Sequence, residues 1–138
     1  MTNAQINKAI MLQEIRAEKA KRVNQLLIDC RMFFAFSNEQ FEQNKTPLKE
    51  GEKYVHYSSG GYLPNSEVNN YNDGYKIIEQ WAQKTHKENK TKDAHILYEL
   101  NNFECFYSGD ISDAVSVLPY SIADIQKVYH ANRNNFQY

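Results

Sequence analysis

The amino-acid sequence predicts an α+β fold that is mostly α: a helical domain with one small β-hairpin and a long N-terminal helix. Three observations predict it. Apolar residues recur at three- and four-residue steps through most of the chain, one segment (Lys53–Ser58) carries a β-favouring pattern, and no Pro or Gly precedes Pro47. The 138 residues suit a single domain, 1–138. Within it the sequence divides into an N-terminal helical arm over 1–31 and a helical core over 32–131, with the hairpin near 53–63.

Residues 4–35 read as one long helix or two joined end to end. Leu12, Ile15, Val23, Leu26, Cys30 and Phe33 keep helical spacing, with Lys19 the one interruption. Through Arg22 the segment is polar on most faces, and Ile6 and Ile10 add only a thin stripe. Such a helix is marginal alone, so it is expected to act as an arm that docks on a partner or forms a homodimer contact.

Ser37 is placed as an N-cap with Gln40 at capping-box spacing, and Phe36 and Phe41 fit a hydrophobic staple over a helix at 38–44. Lys45-Thr46-Pro47 ends that helix. Tyr54, Val55 and Tyr57 lead into Ser58-Ser59-Gly60-Gly61 and then Tyr62-Leu63, a strand–turn–strand pattern. After Pro64, Asn65 or Ser66 caps a helix to about Glu88, whose seam is Val68, Tyr71, Tyr75, Ile78, Ala82 and Thr85. Thr91 or Asp93 starts the next, with Ile96, Leu97, Leu100, Phe103 and Tyr107 on its core face.

Gly109 is a natural helix stop, and Asp110 caps a short helix over 111–118 that Pro119 ends. Ser121 caps the last helix, with Ile122, Ile125, Val128 and Tyr129 facing inward. Phe33, Phe34, Phe36, Phe41, Trp81, Leu100, Phe103 and Ile111 are expected in one core.

Composition narrows the class. A mean hydropathy of −0.74 and the lack of any apolar run near the roughly 20 residues of a membrane helix argue against a span. The N-terminus has no secretory-leader pattern, and Cys30 and Cys105 are too few for a disulfide scaffold or a four-cysteine zinc site. A cytoplasmic, reduced protein is the expectation.

The near-neutral total hides a polarised layout. From Asp93 through Ile125 the chain carries Asp93, Glu99, Glu104, Asp110, Asp113 and Asp124 and no Lys or Arg. Before Met32 it is basic, with Arg16, Lys19 and Arg22 close together, and Lys84–Lys92 is lysine-rich. Acidic residues at helix starts account for part of the pattern.

No constellation reads as a catalytic site. His95 and Glu99 share a helix face without further ligands at zinc-motif spacing. Glu104, Cys105 and Asp110 contain the parts of a thiol nucleophile, yet Cys105 sits in an apolar context that favours an inert thiol. Ser58-Ser59-Gly60-Gly61 lacks the Lys-Ser/Thr and the immediate helix of a phosphate loop. No cofactor and no metal are expected. Tyrosine is the more informative residue: Tyr54, Tyr57, Tyr62, Tyr71, Tyr75, Tyr98, Tyr107 and Tyr120 each need a polar partner, which places some at a surface or interface.

Three segments carry a resemblance: Met32-Phe33-Phe34-Ala35-Phe36-Ser37-Asn38-Glu39-Gln40-Phe41, Gly60-Gly61-Tyr62-Leu63-Pro64, and residues 98–114, YELNNFECFYSGDISDA. In this order they resemble a family of small, uncharacterised proteins carried by phages, prophages and conjugative elements, especially of Bacteroidota. The resemblance brings no established activity. It implies an accessory or counter-defence role in a bacterial cytoplasm, anti-CRISPR proteins included, by analogy of context.

The expected function is therefore non-enzymatic inhibition of a host defence complex. The partner is a CRISPR-type nuclease or its guide RNA, met by Tyr98, Glu99, Glu104, Tyr107, Asp110 and Asp113, with Arg16, Lys19 and Arg22 on the basic side. The alternative is a nucleic-acid- or nucleotide-binding accessory factor of phage replication, which salt would weaken steeply.

Overall fold

A computed structural model describes residues 2–135. They form two compact units, one of the stretch through Arg16 with everything from Trp81 onward, the other Ala17–Gln80. Helices α1 (Asn3–Asp29) and α3 (Val68–Glu88) lend residues to both. The architecture is α+β and mostly α, as the periodicity predicts, with the long N-terminal helix in place. Among the described residues no helix is long and apolar enough to cross a membrane.

In the Ala17–Gln80 unit, α1 stops six residues short of the predicted Ala35. Met32 N–H donates to the Leu27 carbonyl and Arg31 N–H to that of Ile28 (2.9 and 3.1 Å). Arg31 takes φ +56° between them. This is a Schellman stop, usually built on glycine. Here Arg31 is held by distant partners: Nη1 donates to the Pro47 carbonyl and to Glu52 Oε1, and Nη2 to Glu52 Oε2 at 2.7 Å. Glu67 adds a fourth oxygen at 3.5 Å.

The chain freed by that stop forms a strand absent from the sequence reading, β1 (Phe33–Phe34). It joins the predicted hairpin, β2 (Tyr54–Tyr57) and β3 (Gly61–Pro64), in an antiparallel sheet of order β1-β3-β2. Ser59 and Gly60, at φ +48° and +79°, make the primed turn that suits a hairpin's twist. The register puts Phe33, Tyr54, His56 and Tyr62 on one face. Phe41 of α2 (Asn38–Asn44) packs on that face, its ring 5.1–5.3 Å from those of Phe33, Tyr54 and Tyr62.

Ser37 caps α2 as predicted, its Oγ accepting from Gln40 N–H at 3.1 Å. Gln40 Oε1 accepts in return from Phe36 N–H, one residue earlier than a standard capping box. Phe36 itself is three-quarters exposed and lies over Gly60.

In the other unit, α4 (Lys92–Asn102), α5 (Cys105–Ser108), α6 (Ser112–Val117) and α7 (Ile122–Asn132) surround a core of Ile96, Leu100, Cys105, Ala114, Leu118, Ile125 and Val128. Leu12 and Ile15 of α1 are buried, whereas Ile6 and Ile10 remain exposed. A second Schellman stop ends α3, with Lys90 at φ +55° and Thr91 N–H on the His86 carbonyl at 2.9 Å. Glu104, at φ +53°, breaks the predicted continuation of α4.

The single apolar core expected from the sequence is corrected. Phe33 and Phe41 belong to one unit and Leu100, Phe103 and Ile111 to the other, Trp81 is half-buried, and Phe34 and Phe36 are exposed. Tyr107 and Ile122, expected on core faces, are 72% and 56% exposed. The Glu104 break restarts the helical phase ahead of Tyr107, and Ile122 sits in the first turn of α7, outside the buried stripe of Ile125 and Val128.

Candidate functional site

The predicted binding residues fall into separate settings. Arg16, Tyr98 and Glu99 come together, although Arg16 lies 83 residues from Glu99 along the chain. Arg16 Nη1 donates to Glu99 Oε1 at 3.1 Å, and the guanidinium carbon stands 3.8 Å from the centre of the Tyr98 ring. Glu99 is only 9% exposed. An acid so enclosed with its own cation contributes little field to solvent.

The other two basic candidates are also neutralised. Lys19 ion-pairs with Glu79 and sits 6.0 Å from the Tyr75 ring centre. Arg22 bonds Glu18 one helical turn away at 3.0 Å. The three basic residues singled out in the sequence are thus each held in an ion pair rather than presented as an open cationic stripe.

The remaining four candidates form an exposed set. Glu104, Tyr107, Asp110 and Asp113 lie on α5, its two flanks and the first turn of α6. Asp110 Oδ1 accepts from both the N–H and the hydroxyl of Ser112, at 2.9 and 2.6 Å. Those bonds hold its carboxyl below the usual carboxylate range, so it stays charged in mild acid. At the far edge of the acidic run, Asp124 is bonded by Lys92 at 2.7 Å, and this pair too lowers its pKa.

Both cysteine thiols are buried. Burial pushes both the Cys30 and the Cys105 thiol up, with Glu67 adding to the effect at Cys30. Neither has the electropositive setting of a reactive thiolate. Among the described residues no group of three or more His, Cys, Asp or Glu is placed to hold a metal ion.

One cluster escaped the sequence reading. His86, 2% exposed, bonds Thr91 Oγ1 through Nδ1 at 2.8 Å and stacks on His95 with ring centres 4.2 Å apart. His95 Nδ1 meets the Tyr120 hydroxyl at 2.9 Å. Thr91, one of the two residues expected to cap α4, holds the N-cap position, but its hydroxyl is engaged with His86 instead. Tyrosine hydroxyls find partners elsewhere as well, Tyr54 on the Thr46 carbonyl and Tyr57 on Asn72 Oδ1.

No curated protein and no solved structure matches this chain. A family model does, across residues 12–134, under the description "Family of unknown function (DUF7659)". The match takes in the buried part of α1, the sheet, the α4–α7 core and the exposed acidic set, and the chain belongs to the DUF7659 family.

Proposed function

We propose that the chain is a non-enzymatic binding protein that docks its acidic α5–α6 face on a basic, nucleic-acid-handling surface of a partner and blocks it. The carrying observation is Tyr107, 72% exposed among Glu104, Asp110 and Asp113 in a segment without Lys or Arg. An exposed aromatic in an acidic segment supplies an anchor and a complementary field for a cationic cleft. A counter-defence inhibitor of a CRISPR-type nuclease is the specific form of this reading, with the bacterial cytoplasm as its place of action. Two buried free thiols suit such a reducing compartment.

The nucleic-acid-binding alternative has less to work with, because Arg16, Lys19 and Arg22 each already face a carboxylate. The full chain, Tyr107→Ala and Glu104→Lys/Asp113→Lys are used as baits in bacterial lysate, with and without nuclease treatment, at low and physiological salt. The expected result is a basic nucleic-acid-binding protein retained by the native chain and lost by both variants. Equal retention by the charge-reversed bait removes the acidic face from the mechanism. Retention that disappears on nuclease treatment transfers the role to the nucleic-acid reading.

A further inference from the structure

We propose that a concavity between α1, α4 and α7 binds a small phosphorylated polyol or sugar. Its volume is about 590 Å³, within the range of small-molecule sites. Three lysines line it, one from each helix: Lys8, Lys92 and Lys127. Lys92 is committed to Asp124 at 2.7 Å. Lys8 and Lys127 make no ion pair with any described residue, and Lys127 acts on Asp124 only through its field.

With Lys92 and Asp124 paired, the lining keeps two lysines, Lys8 and Lys127, against one carboxylate, Asp93, and an anionic group held by the lysines answers that excess of positive charge. Lysine meets phosphate in this way, as a point charge on a flexible stem. The rest of the lining selects the body of the ligand. Asp93 is an acceptor and Gln5 both a donor and an acceptor, complements for hydroxyl groups, while no aromatic ring lines the concavity to stack on a base. A sugar phosphate matches both features, its phosphate on Lys8 and Lys127 and its hydroxyls toward Asp93 and Gln5. Because both lysines are solvent-exposed, affinity is weak, about millimolar in low salt.

The test is titration of the isotope-labelled full chain with glucose 6-phosphate, glucose and inorganic phosphate, read from the amides of Ala94, Leu97 and Ala131. Saturable shifts are expected with glucose 6-phosphate, weaker binding with inorganic phosphate and none with glucose. Lys8→Gln/Lys127→Gln, at exposed positions that leave the fold intact, should weaken binding by about tenfold or more. No saturable shift overturns the proposal, as does equal affinity in the double variant. Equal affinity for inorganic phosphate reduces the site to an adventitious ion only. Tyr107→Ala should leave this titration unchanged, which separates the site from the acidic face.

Discussion

Breaking the Arg16–Glu99 pair should reveal coupled structural residues, and a double-mutant cycle measures the coupling. Arg16→Ala removes a charge-assisted hydrogen bond, worth about 1.5–3 kcal/mol, and a guanidinium–aromatic contact on Tyr98 worth about 0.5–1 kcal/mol. The Arg16 side chain is 35% exposed and Glu99's 12%, so solvent relieves part of the loss and a net cost of about 2 kcal/mol is expected. Glu99→Gln keeps an acceptor oxygen without the charge and should cost about 1 kcal/mol. The double variant should cost less than the two singles together by about 1 kcal/mol, because the second change removes a charge already orphaned by the first.

Urea unfolding followed by circular dichroism gives each free energy by linear extrapolation. Replacing both partners by Arg16→Met/Glu99→Leu should fall close to the native stability, since apolar isosteres need no desolvated charge. Additivity of the singles to within about 0.5 kcal/mol would refute the pairing. Arg16 and Glu99 would then be free to serve as separate basic and acidic binding residues.

Three further outcomes follow from the same structure. Arg31 and Ser66 hold the Glu52 carboxyl well below its ordinary value of 4.5, so the stability Glu52 contributes is present above that value and is lost as pH falls below it; Glu52→Gln should flatten this acid limb in unfolding curves taken at decreasing pH. Leu100→Ala, at a site with no solvent exposure, should cost about 2–5 kcal/mol by the same assay. Lys90→Gly should raise stability by about 1 kcal/mol, because Lys90 sits at φ +55° without an ion pair to any described residue, and a lower melting temperature for this variant would contradict the Schellman assignment.

What was legible in the sequence was local. Ser37 and Ser121 cap through their own hydroxyls, the Ser-Ser-Gly-Gly turn closes the hairpin, and the α4 and α7 stripes bury Ile96, Leu100, Ile125 and Val128. What was missed depends on partners far along the chain. Phe33 keeps helical spacing with Cys30, and no Gly or Pro marks the end of α1; the stop is secured by Pro47 and Glu52, which no local pattern exposes. Glu104 in the left-handed region is likewise invisible in apolar periodicity, and it turned Tyr107 from an expected core residue into an exposed one. The candidate site divided for the same reason. Its exposed acidic half is contiguous in sequence, whereas the Arg16–Glu99 pair exists only after folding has joined α1 to α4.

The Arg31 stop also sets an order of events for a chain made from its N-terminus. Its acceptors lie 16 and 21 residues downstream, about one to four seconds of synthesis at ordinary rates. Until Pro47 and Glu52 leave the ribosome the stop lacks these acceptors, and the helical spacing that runs on through Phe33 would let any helix formed there extend into the segment that later becomes β1. On that order the sheet would mature by unwinding a turn of helix, and chains stalled before Pro47 should show amide protection past Asp29 that disappears in chains long enough to expose Glu52.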